Sequence, residues 1–271
     1  MAVRVEKNRA VWTIIHDRPE ARNAMDPASA DALTRAFLEF DADESASVAV
    51  FHGAGGFFCA GWDLKYVSTL DQDYPLGELD IPVSGPRGNG GEIPRGPLGP
   101  SRLELDKPVI AAIEGPAVAG GMELGLWCDF RVMAEGAYFG VYCRRWGVPL
   151  IDGGTVRLPR IVGQGRALEI ILTGRKVPAE ECLSIGLCEY VTPKGGARAK
   201  AEALAQEIAR FPQVCVRADR RSAIKGHGLN VREALTREWY NGREALIKDG
   251  VAGAARFKDG LGRHGDFATI S

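Results

Sequence analysis

Two short apolar runs in this chain each end in a glycine-rich turn, and that repeated device limits the possible folds more than any other feature. The first turn is Gly53-Ala-Gly-Gly-Phe-Phe-Cys-Ala-Gly61-Trp62-Asp63-Leu64, following the run Ser47–Gly53. The second is Gly115-Pro-Ala-Val-Ala-Gly120-Gly121-Met122-Glu123-Leu124, following Val109–Ile113. A strand that passes through glycine into the start of a helix leaves backbone N–H groups without partners. Those amides, with a helix dipole behind them, suit a negative charge developing on oxygen. Two such turns from different strands can converge on one carbonyl. Either turn alone also reads as a tight chain reversal, because glycine supplies positive φ wherever a chain turns sharply.

The surrounding pattern extends the alternation. Residues 10–16, Phe130–Ala134 and Leu187–Val191 read as further short strands. Asp26-Pro27 reads as an N-cap and first helical residue, and Ala30, Leu33, Phe37 and Phe40 follow at helical spacing. Strands alternating with helices predict an α/β layered fold. Residues 68–100 break the rhythm, with Pro75, Pro82, Pro86, Pro94, Pro97 and Pro100 and seven glycines from Gly77 to Gly99. Such a segment sustains neither a helix nor a central strand and reads as a long surface loop or lid. From Gly195 onward the character is helical: Ala201, Leu204, Ala205, Ile208 and Phe211 form one stripe, and Val231–Ile247 and Gly250–Gly262 read as further helices. The expected organisation is a strand-rich core over 1–193 and a helical C-terminal region over 194–271.

Composition removes several classes of function. Thirty-four Lys and Arg oppose thirty-five Asp and Glu, a net charge of −1 that gives no global attraction for nucleic acid or an anionic membrane. No apolar run approaches the ~18 residues of a membrane span, and the first residues lack the apolar core of a secretory signal. Six scattered cysteines without a Cys-x-x-Cys pair fit buried thiols in a reducing cytoplasm. His16, His52, His227 and His264 form no His-x-x-x-His pair, so no metal site is expected. A cytoplasmic protein is the expectation. No phosphate loop, dinucleotide fingerprint or Gly-x-Ser-x-Gly elbow occurs. Ser222-Ala-Ile-Lys225 matches a Ser-x-x-Lys pattern without its usual companions.

Five segments in order carry a resemblance. They are Arg18-Pro-Glu-Ala-Arg-Asn-Ala-Met25, Phe58-Cys-Ala-Gly-Trp-Asp-Leu64, the stretch Lys107–Leu124, Cys128-Asp129 with Phe139-Gly140, and Gly153–Gly163 with Leu172-Thr-Gly174. On these residues the chain resembles the crotonase (enoyl-CoA hydratase/isomerase) superfamily over nearly its whole length. The resemblance implies a spiral of ββα units followed by C-terminal helices that build a homotrimer or a dimer of trimers. It also implies an acyl-CoA thioester substrate, no cofactor beyond the coenzyme A of that substrate, and a thioester oxygen held by two backbone N–H groups. Carried over, those donors match Trp62 and Gly120. Arg22, Ala24, Ala60, Gly61, Asp63, Leu64 and Gly121 match segments that embrace coenzyme A, and Phe257 and Lys258 match a late helix that often meets ligand. Arg217, Arg220, Arg221 and Lys225 form another basic cluster suited to phosphates or to a solvated helix face.

Enolising a thioester loads charge onto its oxygen, and chemistry at the neighbouring carbons then needs a placed acid or base. Glu123 matches one of two glutamates that hydratases of the superfamily use; by position it is equally a first-turn residue favoured by the dipole. The second glutamate falls on Cys143, whose thiol, ordinarily titrating near ~8.5, does not replace a carboxylate in kind. Arg144 and Arg145 beside it are candidates to lower that value, although neighbours on an extended strand point to opposite faces. Asp152 offers a substitute carboxylate, one residue from positions where some isomerases and dehalogenases of the superfamily carry aspartate. It also reads as an N-cap for a helix over Gly153–Val162. The expected activity is hydration of a 2-enoyl-CoA. The alternatives are enoyl-CoA isomerisation with a single carboxylate, other acyl-CoA chemistry such as hydrolysis or carbon–carbon cleavage, and non-catalytic acyl-CoA binding.

Overall fold

The run Val-Trp-Thr-Ile-Ile-His at 11–16 is buried along its whole length, which places it in a sheet covered on both faces. A computed structural model describes residues 2–81 and 93–262. In chain order, β1 (Val3–Asn8) and β2 (Val11–His16) form an antiparallel hairpin, followed by α1 (Pro27–Ala42), β3 (Val48–Gly53) and the short α2 (Leu64–Val67). Next come β4 (Val109–Ile113), β5 (Pro116–Val118), α3 (Gly120–Trp127), β6 (Phe130–Ala134) and β7 (Tyr138–Gly140). Then follow α4 (Gly154–Val162), α5 (Gln164–Thr173), β8 (Lys176–Pro178), α6 (Ala179–Ser184) and β9 (Tyr190–Thr192). The chain continues in α7 (Ala197–Ala209), α8 (Gln213–Lys225), α9 (Val231–Ala245) and α10 (Val251–Lys258).

The main sheet has the order β1-β2-β3-β4-β6-β9, parallel after the first hairpin, and a small sheet runs β5-β7-β8. Successive turns of the chain therefore repeat one unit. β4, β5 and α3 make one turn, and β6, β7 and α4 the next. β3 begins an earlier turn, whose Cys59 bridges Ala117 of β5 before α2. This is the ββα spiral that the resemblance implies; α3 starts directly after β5, whereas the 3₁₀ turn at Tyr142–Trp146 separates β7 from α4.

Period-two burial fixes the register. Val48 and Val50 of β3 and Ile110 and Ala112 of β4 face Ala197, Ala201 and Ala205 of α7. Their neighbours Ala49, Phe51, Val109, Ala111 and Ile113 face the larger core with Phe37, Phe40 and Phe58. α7, the first helix after residue 193, thus covers one face of the main sheet. α1 starts as expected: the Asp26 carboxylate accepts from the Ser29 amide at 2.8 Å with Pro27 at the first helical position, and Ala30, Leu33, Phe37 and Phe40 are buried.

Several boundaries differ from expectation. The strand read at Leu187–Val191 lies at Tyr190–Thr192, because Leu187 and Cys188 pack in the turn after α6, where their amides donate to the Cys182 carbonyl. α9 and α10 join through one wide π-type turn at Leu246–Gly250 instead of breaking at Gly250. Cys143 lies in a 3₁₀ turn over Tyr142–Trp146, not on an extended strand. Of the expected lid at 68–100, residues 82–92 lie outside the described residues, and its described end at Gly96–Pro100 is buried against the core.

Candidate active site

The two glycine-rich turns meet. Gly61 takes φ +90°, and a Cβ there would sit 2.9 Å from the Gly120 nitrogen and 2.8 Å from the Ala119 Cβ, so the approach of the first turn to the second depends on its missing side chain. Ala119 adopts φ 54° and ψ −126°, a conformation that a residue with a Cβ rarely takes and that costs on the order of 1–3 kcal/mol. That strained turn delivers Gly120 as the first residue of α3, where an amide has no intrahelical acceptor. Among the described residues, neither the Trp62 nor the Gly120 amide donates to a protein acceptor. Gly121 follows in the first turn of the same helix.

Both residues line one cleft, which encloses about 500 Å³ with its open mouth included. Trp62, Leu64, Leu98, Val148, Pro149 and Ile151 form apolar wall, Tyr142 and Trp146 lie near Cys143, and Glu123 and Asp152 contribute the carboxylates. A largely apolar lining with a few convergent polar groups is the form of a small-molecule site.

The carboxylates are held in parallel ways. Glu123 is 2% exposed, and its Oε1 accepts the amides of Asp152 at 2.9 Å and Gly154 at 2.8 Å. Asp152 is 1% exposed, and its Oδ1 accepts the Leu98 amide at 3.1 Å and the Ser101 hydroxyl. Among the described residues Glu123 Oε2 accepts no hydrogen bond, and Asp152 Oδ2 is buried without a partner. Burial, with the Asp152 charge adding to it, pushes the Glu123 carboxyl up to about 8. Burial also raises Asp152, opposed by its bonds from Ser101 and Leu98 and by Arg102 and Arg157. Two desolvated carboxyl groups whose charges repel favour a state with one proton for the pair.

Asp152 does not cap α4 as its position suggested. The N-cap is Gly153, and it is Glu123, reaching across from α3, that accepts the first amide of α4 at Gly154. Asp152 turns the other way, toward the Gly96–Ser101 segment. Arg157 of α4 ties both sides together by donating to the Asp152 carbonyl at 2.9 Å and the Ser101 carbonyl at 2.8 Å. Cys143 lines the same cleft, but burial and Glu123 raise its thiol, so Arg144 and Arg145 do not make it a thiolate. Arg144 donates to the Ile171 carbonyl at 3.3 Å, and Arg145 lies 4.0 Å over the Tyr142 ring.

The remaining expected residues divide into two groups. Ala60, Trp62, Leu64, Gly120, Glu123, Cys143 and Asp152 all line the cleft. The 22–25 segment is zipped to the first turn: the Ala60 amide donates to the Arg22 carbonyl, Met25 to Gly61, and Asp63 to Met25. Arg22 itself is left-handed at φ 55°, and Ala24 donates its amide to Ala21. The Asp63 carboxylate caps α2 through Lys65 N and lies 3.6 Å from Arg18. Buried Asn23 staples this corner with amide bonds to the Ala54 and Phe57 carbonyls.

Phe257 and Lys258 are on α10 and do not line the cleft. The cluster on α8 is engaged in bracing. Arg220 pairs with Asp129 at 2.8 Å, Arg221 with Asp106 at 3.4 Å and Lys225 with Glu104 at 3.6 Å, while Arg217 reaches the Ala46 carbonyl. Leu98, Ser101, Tyr142 and Trp146 escaped the sequence reading because no motif marks them, and Arg157, though inside the Gly153–Gly163 segment, was not singled out; their roles arise from contacts between distant segments.

The sequence model of the family described as Enoyl-CoA hydratase/isomerase matches residues 6–76 and 101–241, leaving 77–100 unmatched. The chain is 33% identical over 252 residues to the enoyl-CoA hydratase EchA19 of Mycobacterium tuberculosis, covering 90% of this chain and 88% of that one. It is 36% identical over 220 residues to the carnitinyl-CoA dehydratase of Salmonella typhi, covering 80% and 78%. The crystal structure of enoyl-CoA hydratase EchA1 from Mycobacterium marinum superposes with a TM-score of 0.84 at 31% identity, covering 95% of this chain and 96% of that chain.

Proposed function

The chain belongs to the enoyl-CoA hydratase/isomerase family, and we propose that within it the protein adds water across the double bond of a 2-enoyl-CoA. The observation that carries this reading is the pair of buried carboxylates, Glu123 and Asp152, in one cleft with the candidate oxyanion residues Trp62 and Gly120. Hydration needs one group to take a proton from water and another to give a proton to the α-carbon. Asp152 fills the place that Cys143 leaves vacant in chemistry though not in position. A lone base suited to isomerisation alone would not need this second carboxylate.

The thioester oxygen accepts the two amides, and this lowers the energy of the enolate that forms. Asp152, whose bonds from Ser101 and Leu98 oppose the upward push of burial, acts as the base and takes a proton from water through Oδ2 as the new C–O bond forms at the β-carbon. The π pair moves toward the thioester, and Glu123, protonated at neutral pH, delivers its proton to the α-carbon. Proton return from Asp152 to Glu123 resets the pair. The names of the relatives EchA19, an enoyl-CoA hydratase, and the carnitinyl-CoA dehydratase support water chemistry at an acyl-CoA. The apolar cleft wall supports an uncharged acyl group.

The same reading makes the chain a homotrimer or dimer of trimers through its C-terminal helices. Exposed Leu235, Trp239, Tyr240, Leu246, Ile247 and Val251 there support such burial, and light scattering of the purified protein tests it. The catalytic reading is tested by mass spectrometry of crotonyl-CoA and of a 3-enoyl-CoA incubated with the protein. Crotonyl-CoA gaining the mass of one water is the expected result. A 3-enoyl-CoA converted at unchanged mass, with crotonyl-CoA untouched, would make the protein an isomerase, and binding without turnover would make it a carrier.

A further inference from the structure

One oxygen of the Asp152 carboxylate is pinned by residues outside the recognised motifs. Oδ1 accepts two hydrogen bonds, from the Leu98 amide at 3.1 Å and from the Ser101 hydroxyl, while Oδ2 is buried and, among the described residues, has no partner, in a residue that lines the cleft. A carboxyl group that accepts twice through one oxygen carries any proton on the other, because protonating Oδ1 would displace a donor. We infer that Ser101 is a positioning residue: with the Leu98 amide it pins Asp152 Oδ1, so that Oδ2 alone exchanges protons with water and substrate.

The support for Ser101 is built to hold that geometry. Gly96 and Gly99 bond to each other through both amides, at 3.0 and 2.8 Å, and close the tight turn that carries Leu98. A Cβ on Gly96 would overlap both the Ser101 Oγ and Asp152 Oδ1, so glycine is required over this hydrogen bond. Arg157 grips the carbonyls of Ser101 and Asp152 together. Ser101 is 1% exposed, which leaves its hydroxyl little access to competing water. The turn also sets the cleft wall, since Leu98 lies on the cleft and the family match resumes only at residue 101. The pinned oxygen and the wall are therefore one device.

The inference rests on the proposed pairing of Asp152 with Glu123, and it can fail separately. The groups facing Asp152 are Ser101, Leu98 N–H and Arg102 from the 96–102 segment, Arg157 from α4, Glu123 from α3, and Cys59 from the first turn. Only the Ser101 hydroxyl is removed by Ser101→Ala. Ser101→Cys keeps the side chain with a weaker donor and serves if the alanine variant folds poorly. Both are compared with wild type and Asp152→Asn by the pH dependence of kcat/KM for crotonyl-CoA.

Ser101 favours the anion of Asp152, so its loss raises the pH at which Asp152 ionises. The acid limb should move upward by roughly one to two pH units, the size of one hydrogen bond to a charged group, with the alkaline limb unmoved. A profile superimposable on wild type, or one lowered by the same factor at every pH, would overturn the role of Ser101. If Asp152→Asn retains wild-type kcat/KM, the carboxylate pairing itself fails; if Asp152→Asn is inactive while the Ser101 profiles stay unmoved, only the positioning inference fails.

Discussion

The candidate site has two halves, made by different means. The oxyanion half, at 53–64 and 115–124, is built from main chain: its working groups are amides, and glycine with a strained Ala119 brings them together. The candidate proton-transfer half, at Glu123, Asp152 and Ser101, is built from side chains whose partners lie up to 54 residues apart. In the first half, a backbone geometry dictates particular residue types, glycine above all. In the second, many residue combinations place a carboxylate at the same point in space, and this chain carries Cys143 where a second glutamate was expected. On the proposed reading, the electrostatic frame is kept while the acid–base pair is relocated.

Substitutions in each half test this division. The largest effect is expected for Glu123→Gln, which removes the transferable proton while keeping acceptors for Asp152 N and Gly154 N; kcat for crotonyl-CoA should fall about 1,000-fold with KM little changed. Retained kcat would remove Glu123 from the proton-transfer half. Gly61→Ala probes the other half, because the added methyl meets the Gly120 nitrogen at φ +90°. A loss of about 100-fold in kcat/KM is expected, the scale of one misplaced oxyanion donor. Unchanged kinetics in a folded variant would show that the two turns do not act together.

The pH response separates the roles of the two carboxylates. Glu123, pushed up to about 8 in the ligand-free protein, must on the proposed reading be protonated to deliver its proton, so kcat/KM should fall about tenfold per pH unit above that value. A rate that instead rises through pH 8 would make Glu123 the base and reverse the pair. The smallest effect is expected for Cys143→Ala. Its thiol is buried and neutral, so kcat/KM should stay within about threefold of wild type, with any cost seen as a thermal shift from a lost small side chain. A loss of 100-fold would return Cys143 to the chemistry.

These contrasts also explain what could be read in advance. The α/β spiral, the Asp26 cap of α1 and the meeting of Trp62 with Gly120 in one cleft follow from local signals: apolar runs, a capping residue and glycine at sharp turns. The direction of Asp152 was not legible, because its position before α4 resembles an N-cap and only the folded chain brings Glu123 in to take that role. Ser101 was invisible for a similar reason. It follows a Pro/Gly segment that reads as loop, and the burial of Gly96–Pro100 against α1 and the Asp152 turn is a tertiary property. The α8 basic cluster, readable as suited to phosphates or as a solvated helix face, has acidic partners at 104–106 and 129, segments that only the fold brings beside it.

The most direct measurement is a crystal structure with an unreactive β-keto thioester of coenzyme A in the cleft. The expected result is a thioester oxygen within about 2.7–3.1 Å of both the Trp62 and Gly120 nitrogens, with Glu123 Oε2 and Asp152 Oδ2 nearest the α- and β-carbons. A thioester oxygen bound by only one of those amides, or a ligand seated with either carboxylate turned away from it, would contradict the assignment.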